Sequence, residues 1–475
     1  MPKSMVEFEG KEVTGLPRQF AIYLAINTAI GFGLYHLLDN LTQTIAATVF
    51  VALVIGTLMF WRFRVAIAFI GVVILLLTRT IDLNNTIKFM NLDVIIFLVG
   101  MMVIVGLLRH SGFFRWLLAK MLKISGFEPR RLMVIMLVVA AVMAALVDEV
   151  TSILFISALV LDLCDYFEVN PVNYIISVVL ATNIGSSWTV LGNPIGILIA
   201  LRSGLTFEDF MRWALPVGVV SLVSLIVIIL IWLRRDLSLL KVKTEGELQG
   251  NEEGGFLNEW SRVKDERLLK GSAIIFIGVI TALAFHHRME LVLGLEPNTL
   301  LFASSICGAG IAMLWQRGLA RELLTRHVDW WTLIFFMFLF AKAGCLQYVG
   351  LTNILSDSLS RLGGGSPAIL IPTLLWISGF ISAAVDNVVV VAAFVPVLQS
   401  LTAKLGTRVL WWALLFGGCY GGNMTMVGST ANIVALGVLE DRKGYHMKFS
   451  HWIKIGLLGS LVPMAIATVA LLIFG

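Results

Sequence analysis

Two acidic residues, Asp148 and Asp386, stand in the middle of apolar sequence 238 positions apart. The first lies in Ala144-Ala145-Leu146-Val147-Asp148-Glu149-Val150 and the second in Ser382-Ala383-Ala384-Val385-Asp386-Asn387-Val388. A charge at the centre of a membrane segment costs about 2.5–3.5 kcal/mol on an insertion scale, and such residues mark ion pathways and proton relays. Taken out of water, a carboxylate favours its protonated form. A proton competing with a cation or substrate for one carboxylate gives exchange. The pattern therefore predicts ion-coupling groups at Asp148 and Asp386, with a proton or sodium as the ligand. Asn387 adds a neutral oxygen beside the second acid, and Glu149 an extra acid beside the first. A compatible structural role for each aspartate is to cap a helix start by accepting backbone N–H groups.

A second pair of motifs follows the first. One is Thr182-Asn183-Ile184-Gly185-Ser186-Ser187-Trp188-Thr189-Val190-Leu191-Gly192-Asn193-Pro194, and the other is Gly421-Gly422-Asn423-Met424-Thr425-Met426-Val427-Gly428-Ser429-Thr430-Ala431-Asn432. Inside a helix glycine costs about 1 kcal/mol and proline about 3. Clusters of this kind at mid-span predict unwound helix, with backbone groups and half-helix dipoles free to face a ligand. Asn183, Thr189, Gly192 and Asn193 in the first break, and Asn423, Thr425, Gly428 and Asn432 in the second, are the expected ion or substrate contacts. Small residues also let helices pack closely. Two clusters at related positions, each after an acidic motif, favour the binding site. Trp188 is the aromatic residue that the first break would bring to a substrate.

Such residues need a membrane around them. Hydrophobic residues make up 58% of the 475-residue chain and charged residues 14%, with a mean hydropathy of +0.92. Soluble domains carry about 25% charged residues. The expected fold is an all-α polytopic membrane protein. A spanning helix takes roughly 20 apolar residues, and eleven segments qualify: 19–38, 42–60, 63–80, 93–109, 172–201, 212–233, 271–287, 298–316, 329–349, 408–438 and 451–474. The stretches 132–163 and 367–401 are too long for one crossing, and each is interrupted by its acidic motif. They read as two re-entrant hairpins with Asp148 and Asp386 at the tips. This topology puts Arg109, Arg115, Lys120, Lys123, Arg130 and Arg131 among many basic residues inside and few outside, the positive-inside pattern. It places the N-terminus in the cytoplasm. Blocks 91–117 and 327–355, 132–163 and 367–401, and 172–201 and 408–438 repeat each other. The two hairpins enter from opposite sides, so the repeat is inverted, as in many secondary transporters.

Other features bound the reading. The tail 1–18 carries Glu7, Glu9 and Glu12 and is too acidic for a signal peptide. The stretch 235–270 is polar and reads as a cytoplasmic linker. Cys164, Cys307, Cys345 and Cys419 are scattered, with no cysteine or histidine spacing that points to a disulfide framework or zinc. The histidines, His110 and His327 among them, lie near span ends and read as interface residues. The net charge of +5 comes from short loops and does not imply nucleic acid. No metalloprotease, nucleotide-binding or Ser/His/Asp pattern is found, so an enzyme is not expected, and no cofactor beyond a coupling proton or sodium ion. Lys342, inside the span 329–349, needs a partner in the membrane. It is a candidate counter-ion to a site carboxylate, or a lysine in a fixed structural contact.

Together the two tips, the two glycine- and asparagine-rich breaks and the inverted repeat resemble the ion transporter superfamily. That group takes in the ArsB arsenite pumps, the NhaD sodium/proton antiporters, the melanosomal P protein and, more remotely, the divalent anion/sodium symporters. The resemblance covers residues from about 40 to 474. It implies a secondary active transporter of a small ion or molecule in a prokaryotic inner membrane, working as a homodimer. It further implies a scaffold, here 19–131 and 271–350, and a mobile transport part, here 132–234 and 366–474. The chain departs from the anion symporters at the tips. Their Ser-Asn-Thr triplet is replaced by Asp148-Glu149-Val150 and Asp386-Asn387-Val388. A like-charge pair about 4 Å apart costs about 4 kcal/mol at an effective dielectric of 20. The acids therefore favour exchange of a cation, sodium, or of arsenite for protons. A sodium- or proton-coupled dicarboxylate symporter is the alternative, if bound cations neutralise the acids first. An ion channel is the alternative of another class, since Gly192-Asn193-Pro194 resembles an aquaporin motif.

Overall fold

The structure, a computed structural model, describes residues 16–126, 128–248, 265–362 and 366–474. The acidic tail residues and the stretch 249–264 of the linker lie outside the described residues. Among the described residues every regular element is helical. Ten helices among the described residues are long and apolar enough to cross a bilayer, which makes this an integral membrane protein. Their outer faces carry large apolar side chains, such as Leu37 at 76% and Val292 at 85% exposure. Such surface is stable against lipid rather than water.

The helices repeat at the spacing of the two aspartates. Helix α5 (Leu92–His110) matches α16 (Trp330–Tyr348), and α6 (Phe113–Ser125) matches α17 (Leu351–Leu362). The turn between each pair is made by a glycine with positive φ, +78° at Gly112 and +79° at Gly350. Glycine takes that conformation without a Cβ penalty. Next, α7 (Pro129–Val147) and α8 (Glu149–Tyr166) match α18 (Pro367–Ala384) and α19 (Asn387–Leu405). The breaks separate α9 (Val172–Gly185) from α10 (Pro194–Ser203), and α20 (Val409–Gly421) from α21 (Thr430–Lys443). Each half closes with a long helix, α11 (Phe207–Trp232) and α22 (Phe449–Phe474).

The stretches 132–163 and 367–401 are helix pairs that turn at their acidic motifs. In the first, the Ser152 hydroxyl donates to the Ala140 carbonyl at 3.1 Å. A continuous helix would set those residues about 18 Å apart, so α8 folds back on α7. Arms of 18 or 19 residues are about 27–28 Å long.

Two compact units emerge from the packing. The first holds the described residues up to Ile95 and Asp329–Ser358. It contains α1 (Leu16–Leu38), α2 (Leu41–Met59), α3 (Arg64–Leu77), α4 (Leu83–Phe89) and α16. There α16 packs on α2, α3 and α4. Its buried Arg64 is partnered: it donates to Thr332 Oγ1 at 2.8 Å and lies over the Trp61 ring. The predicted span 63–80 shortens to α3, about 21 Å long. A 3-10 turn, Trp61–Phe63, precedes it, and Arg79 at φ +55° ends it. Lys342 is buried in this unit, beside Gly71, and donates to the Ile67 carbonyl at 3.3 Å.

The second unit holds the described residues of Ile96–Val328 and Leu359–Gly475. It groups 96–131 and 271–328, read from sequence as scaffold, with both hairpins. The physical ties are the Ser272–Ser111 hydrogen bond at 3.0 Å and the Arg288–Glu208 ion pair at 2.8 Å. In this unit each hairpin packs on the other half's break: α21 lies on α8, and α10 on α19. Arg442 pairs with Asp162 at 2.7 Å, and Lys443 with Asp165, holding the end of α21 to α8.

The sequence reading passed over α6 and α17. Both are too short and too polar for a spanning helix. Their apolar residues recur at three- and four-residue spacing, as in Leu351, Ile354, Leu355 and Leu359, the mark of an amphipathic helix.

Candidate functional site

The two tips are helix starts capped by the predicted aspartates. Asp148 accepts from the Thr151 backbone N–H and from the Thr151 hydroxyl, both at 2.8 Å. Asp386 accepts from the Val388 N–H at 3.0 Å. The capping role is thus present at both tips, and each carboxylate sits at the positive end of a helix dipole. Asp148 also has φ +136° and ψ +161°, a region that non-glycine residues occupy at a cost of about 1–3 kcal/mol and that clusters at functional sites. The tips differ in burial. Asp148 is half-buried, whereas Asp386 is 4% exposed.

The tips meet through Glu149 and Asn387, which are both fully enclosed. Ser186 and Asn387 face Glu149, and Asp386 and Asp148 are its charged neighbours. Neither the Glu149 Oε2 atom nor either amide atom of Asn387 has a hydrogen-bond partner of good geometry. Buried polar atoms are paired in the great majority of cases, so unpaired ones call for an explanation. Here two enclosed carboxylates, Glu149 and Asp386, adjoin an unspent amide and the half-buried Asp148. Thr430, at the start of α21, donates to Asp386 Oδ2 at 2.6 Å. Thr430 and Ser186 are contacts that the sequence reading did not select. Each stands in a break, next to residues that it did select.

The breaks are built alike. In each, a threonine hydroxyl donates to the first arm of its own half's hairpin, Thr189 to the Ala145 carbonyl and Thr425 to the Ala383 carbonyl. Gly192 lies against the backbone of Ser186, and Gly428 against that of Gly422. A Cβ on Gly192 would come within 2.1 Å of the Ser186 carbonyl oxygen. These two glycines therefore shape the breaks and leave no room for a side chain. Asn193 and Ser429 cap α10 and α21.

The asparagines join the two breaks. Asn183 donates to Asn423 Oδ1 and Asn432 Oδ1, both at 2.8 Å, and accepts from Ser429 at 3.1 Å. Asn432 donates to the Gly422 and Thr425 carbonyls at 2.8 Å. Asn193 donates to Ser186 Oγ and Cys419 Sγ. Predicted from sequence as ligand oxygens, these amides form a buried cross-link beside the acids. Replacing Asn183 with alanine leaves two amide oxygens without a donor and one hydroxyl without an acceptor. At about 1–3 kcal/mol for each unmade bond, the Asn183→Ala protein is expected to unfold at a clearly lower temperature in detergent; an unchanged midpoint contradicts the cross-link. Trp188 packs edge-on to Gly218, its Nε1 without an acceptor.

Comparison with known proteins fits this architecture. The profile of the CitMHS family, described as citrate transporters, matches residues 50–417 and 343–474. An uncharacterized transporter of Mycobacterium tuberculosis is 33% identical over 385 residues, which cover 80% of this chain and 85% of the relative. The human P protein is 24% identical over 459 residues, 82% of this chain and 54% of its own length, so the chain spans about half of that relative. The YdaH transporter of Alcanivorax borkumensis, a crystal structure, shares 17% identity with a TM-score of 0.54, covering 82% of this chain and 86% of its own. That likeness is one of fold. The family match takes in both acidic tips and both breaks, and the chain belongs to the CitMHS citrate transporter family of the ion transporter superfamily.

Proposed function

We propose that this membrane transporter is secondary active and exchanges a cation, sodium, or arsenite for protons at the hairpin tips. The observation that carries the reading is the convergence of Asp148, Asp386 and the unspent amide of Asn387 on Glu149. A proton or a sodium ion relieves the repulsion among these carboxylates, and both compete for the same oxygens. Asn387 would supply an amide oxygen to a bound cation. In this reading the hairpins are re-entrant and carry the site in a moving part, while the remaining helices form a scaffold and a dimer contact. The basic loops support a cytoplasmic N-terminus. Lys342, enclosed in the first unit, is the proposed counter-ion that changes partner during the cycle.

The family description favours a second reading, symport of citrate with protons or sodium. Three carboxylates repel citrate until cations bind. Once they are neutralised, the starts of α8, α10, α19 and α21 offer partial positive charge to an anion. The two readings separate in one screen. Purified protein in liposomes is offered sodium, arsenite or citrate with imposed pH and sodium gradients. Exchange predicts sodium or arsenite flux driven by a pH gradient and none of citrate. Citrate uptake that needs either gradient replaces the first reading with the second, and current without coupling supports a channel.

A further inference from the structure

A separate cluster lies in the second unit, where α5 ends. His110 is the last residue of α5. Glu322 is on α15 (Ala320–Arg326), and His327 follows that helix directly. Their ligand atoms lie within 4.8 Å of one another. The two imidazole rings stand nearly perpendicular, at 82°, with centroids 6.5 Å apart. A close approach fixes their placement. Gly106, one turn before His110, lets His327 lie directly against α5, and a Cβ at Gly106 would come within 2.6 Å of His327 Cβ. The cluster belongs to one half only, because the residue matching His110 in the repeat is Tyr348.

We propose that His110, Glu322 and His327 form a binding site for a divalent transition metal, zinc by the chemistry of its ligands. Two imidazoles and one carboxylate are a common three-ligand zinc set, which leaves a fourth position for water. Tetrahedral zinc with bonds of about 2.0–2.1 Å holds its ligand atoms about 3.3 Å apart. The contraction needed is small. His110 is exposed and Glu322 half-buried, so both can turn toward the ion. Glu322 makes a long ion pair with Arg326, at 3.9 Å, and is held loosely by it. Arg109 lies within electrostatic reach of His327 and opposes a bound cation, and Glu322 offsets it. Hard cations such as magnesium prefer all-oxygen ligands, so the site discriminates against them. Bound zinc would tie the end of α5 to α15.

The test is calorimetric titration of the chelator-stripped full chain in detergent with zinc chloride, repeated with magnesium chloride. The expected result is a single zinc per chain, no magnesium binding, and zinc affinity reduced about tenfold or more in both His110→Ala and His327→Ala. His287→Ala, a histidine outside the cluster, should bind as the original protein does. Thermal unfolding with and without zinc is read on the same samples. Zinc should raise the midpoint of the original protein and leave both cluster variants unmoved. Affinity that is unchanged in both variants, or no zinc binding at all, overturns the site.

Discussion

A Gly421→Ala protein is expected to fail to accumulate in folded form. The helix α20 approaches α18 so closely that a Cβ at residue 421 would sit 2.3 Å from the Gly379 carbonyl oxygen and 2.4 Å from Gly379 Cα. Both are backbone atoms, so no side chain can swing aside. The helices would have to separate, and with them the capped start of α19 and the second break. Overpacking a close-packed core usually costs about 1–3 kcal/mol, and a forced shift of two helices places this case at or above the upper end. Gly185 stands in the matching place against Ala141, where the Cβ distance would be 2.1 Å, so Gly185→Ala should behave in the same way. Gly437→Ala is the control, since a Cβ there meets nothing within 4 Å. Yield and size-exclusion profile after detergent extraction check this. A monodisperse Gly421→Ala protein at normal yield contradicts the packing argument.

The second large effect concerns transport rather than folding. Asp386→Asn keeps one oxygen for the Val388 N–H and sets its amide NH2 against the Thr430 hydroxyl, which can turn to accept, so the tip should hold its shape. The charge is lost. A carboxylate about 4 Å from a monovalent cation contributes about 4 kcal/mol at an effective dielectric of 20. Each 1.4 kcal/mol is tenfold in affinity, so coupled flux should fall by about 100-fold or more. Thr430→Val tests the same contact from the other side. It leaves the charge in place and should reduce flux far less. An Asp386→Asn protein that folds and transports at full rate would remove Asp386 from the mechanism.

These expectations rest on features with different visibility in the sequence. The tips and breaks were legible because their signals are local: an acid in apolar surroundings, and glycine and proline where a helix should continue. The repeat was legible because Gly112 and Gly350, like Asp148 and Asp386, stand 238 residues apart. The cross-link from Asn183 to Asn423 and Asn432 was not, since its partners are about 240 residues away and nothing local tells a structural amide from a ligand. Thr430 and Ser186 were hidden for the same reason, as neighbours whose contacts lie on the other half. Nor does the sequence say that α10 packs on α19 and α21 on α8. That exchange brings the acids of both halves together. It also groups 271–328 with the hairpins, because single contacts such as Ser272 to Ser111 have no pattern to read. His110, Glu322 and His327 escaped because the first is 212 residues from the second.

The central claim is that the acids of both tips carry one coupling ion. It is tested most directly by measuring, in the same liposomes, gradient-driven accumulation and gradient-free exchange of the transported solute for the original protein, Asp148→Asn and Asp386→Asn. The account predicts that accumulation collapses in both variants. Full accumulation in both, with coupling intact, would contradict it.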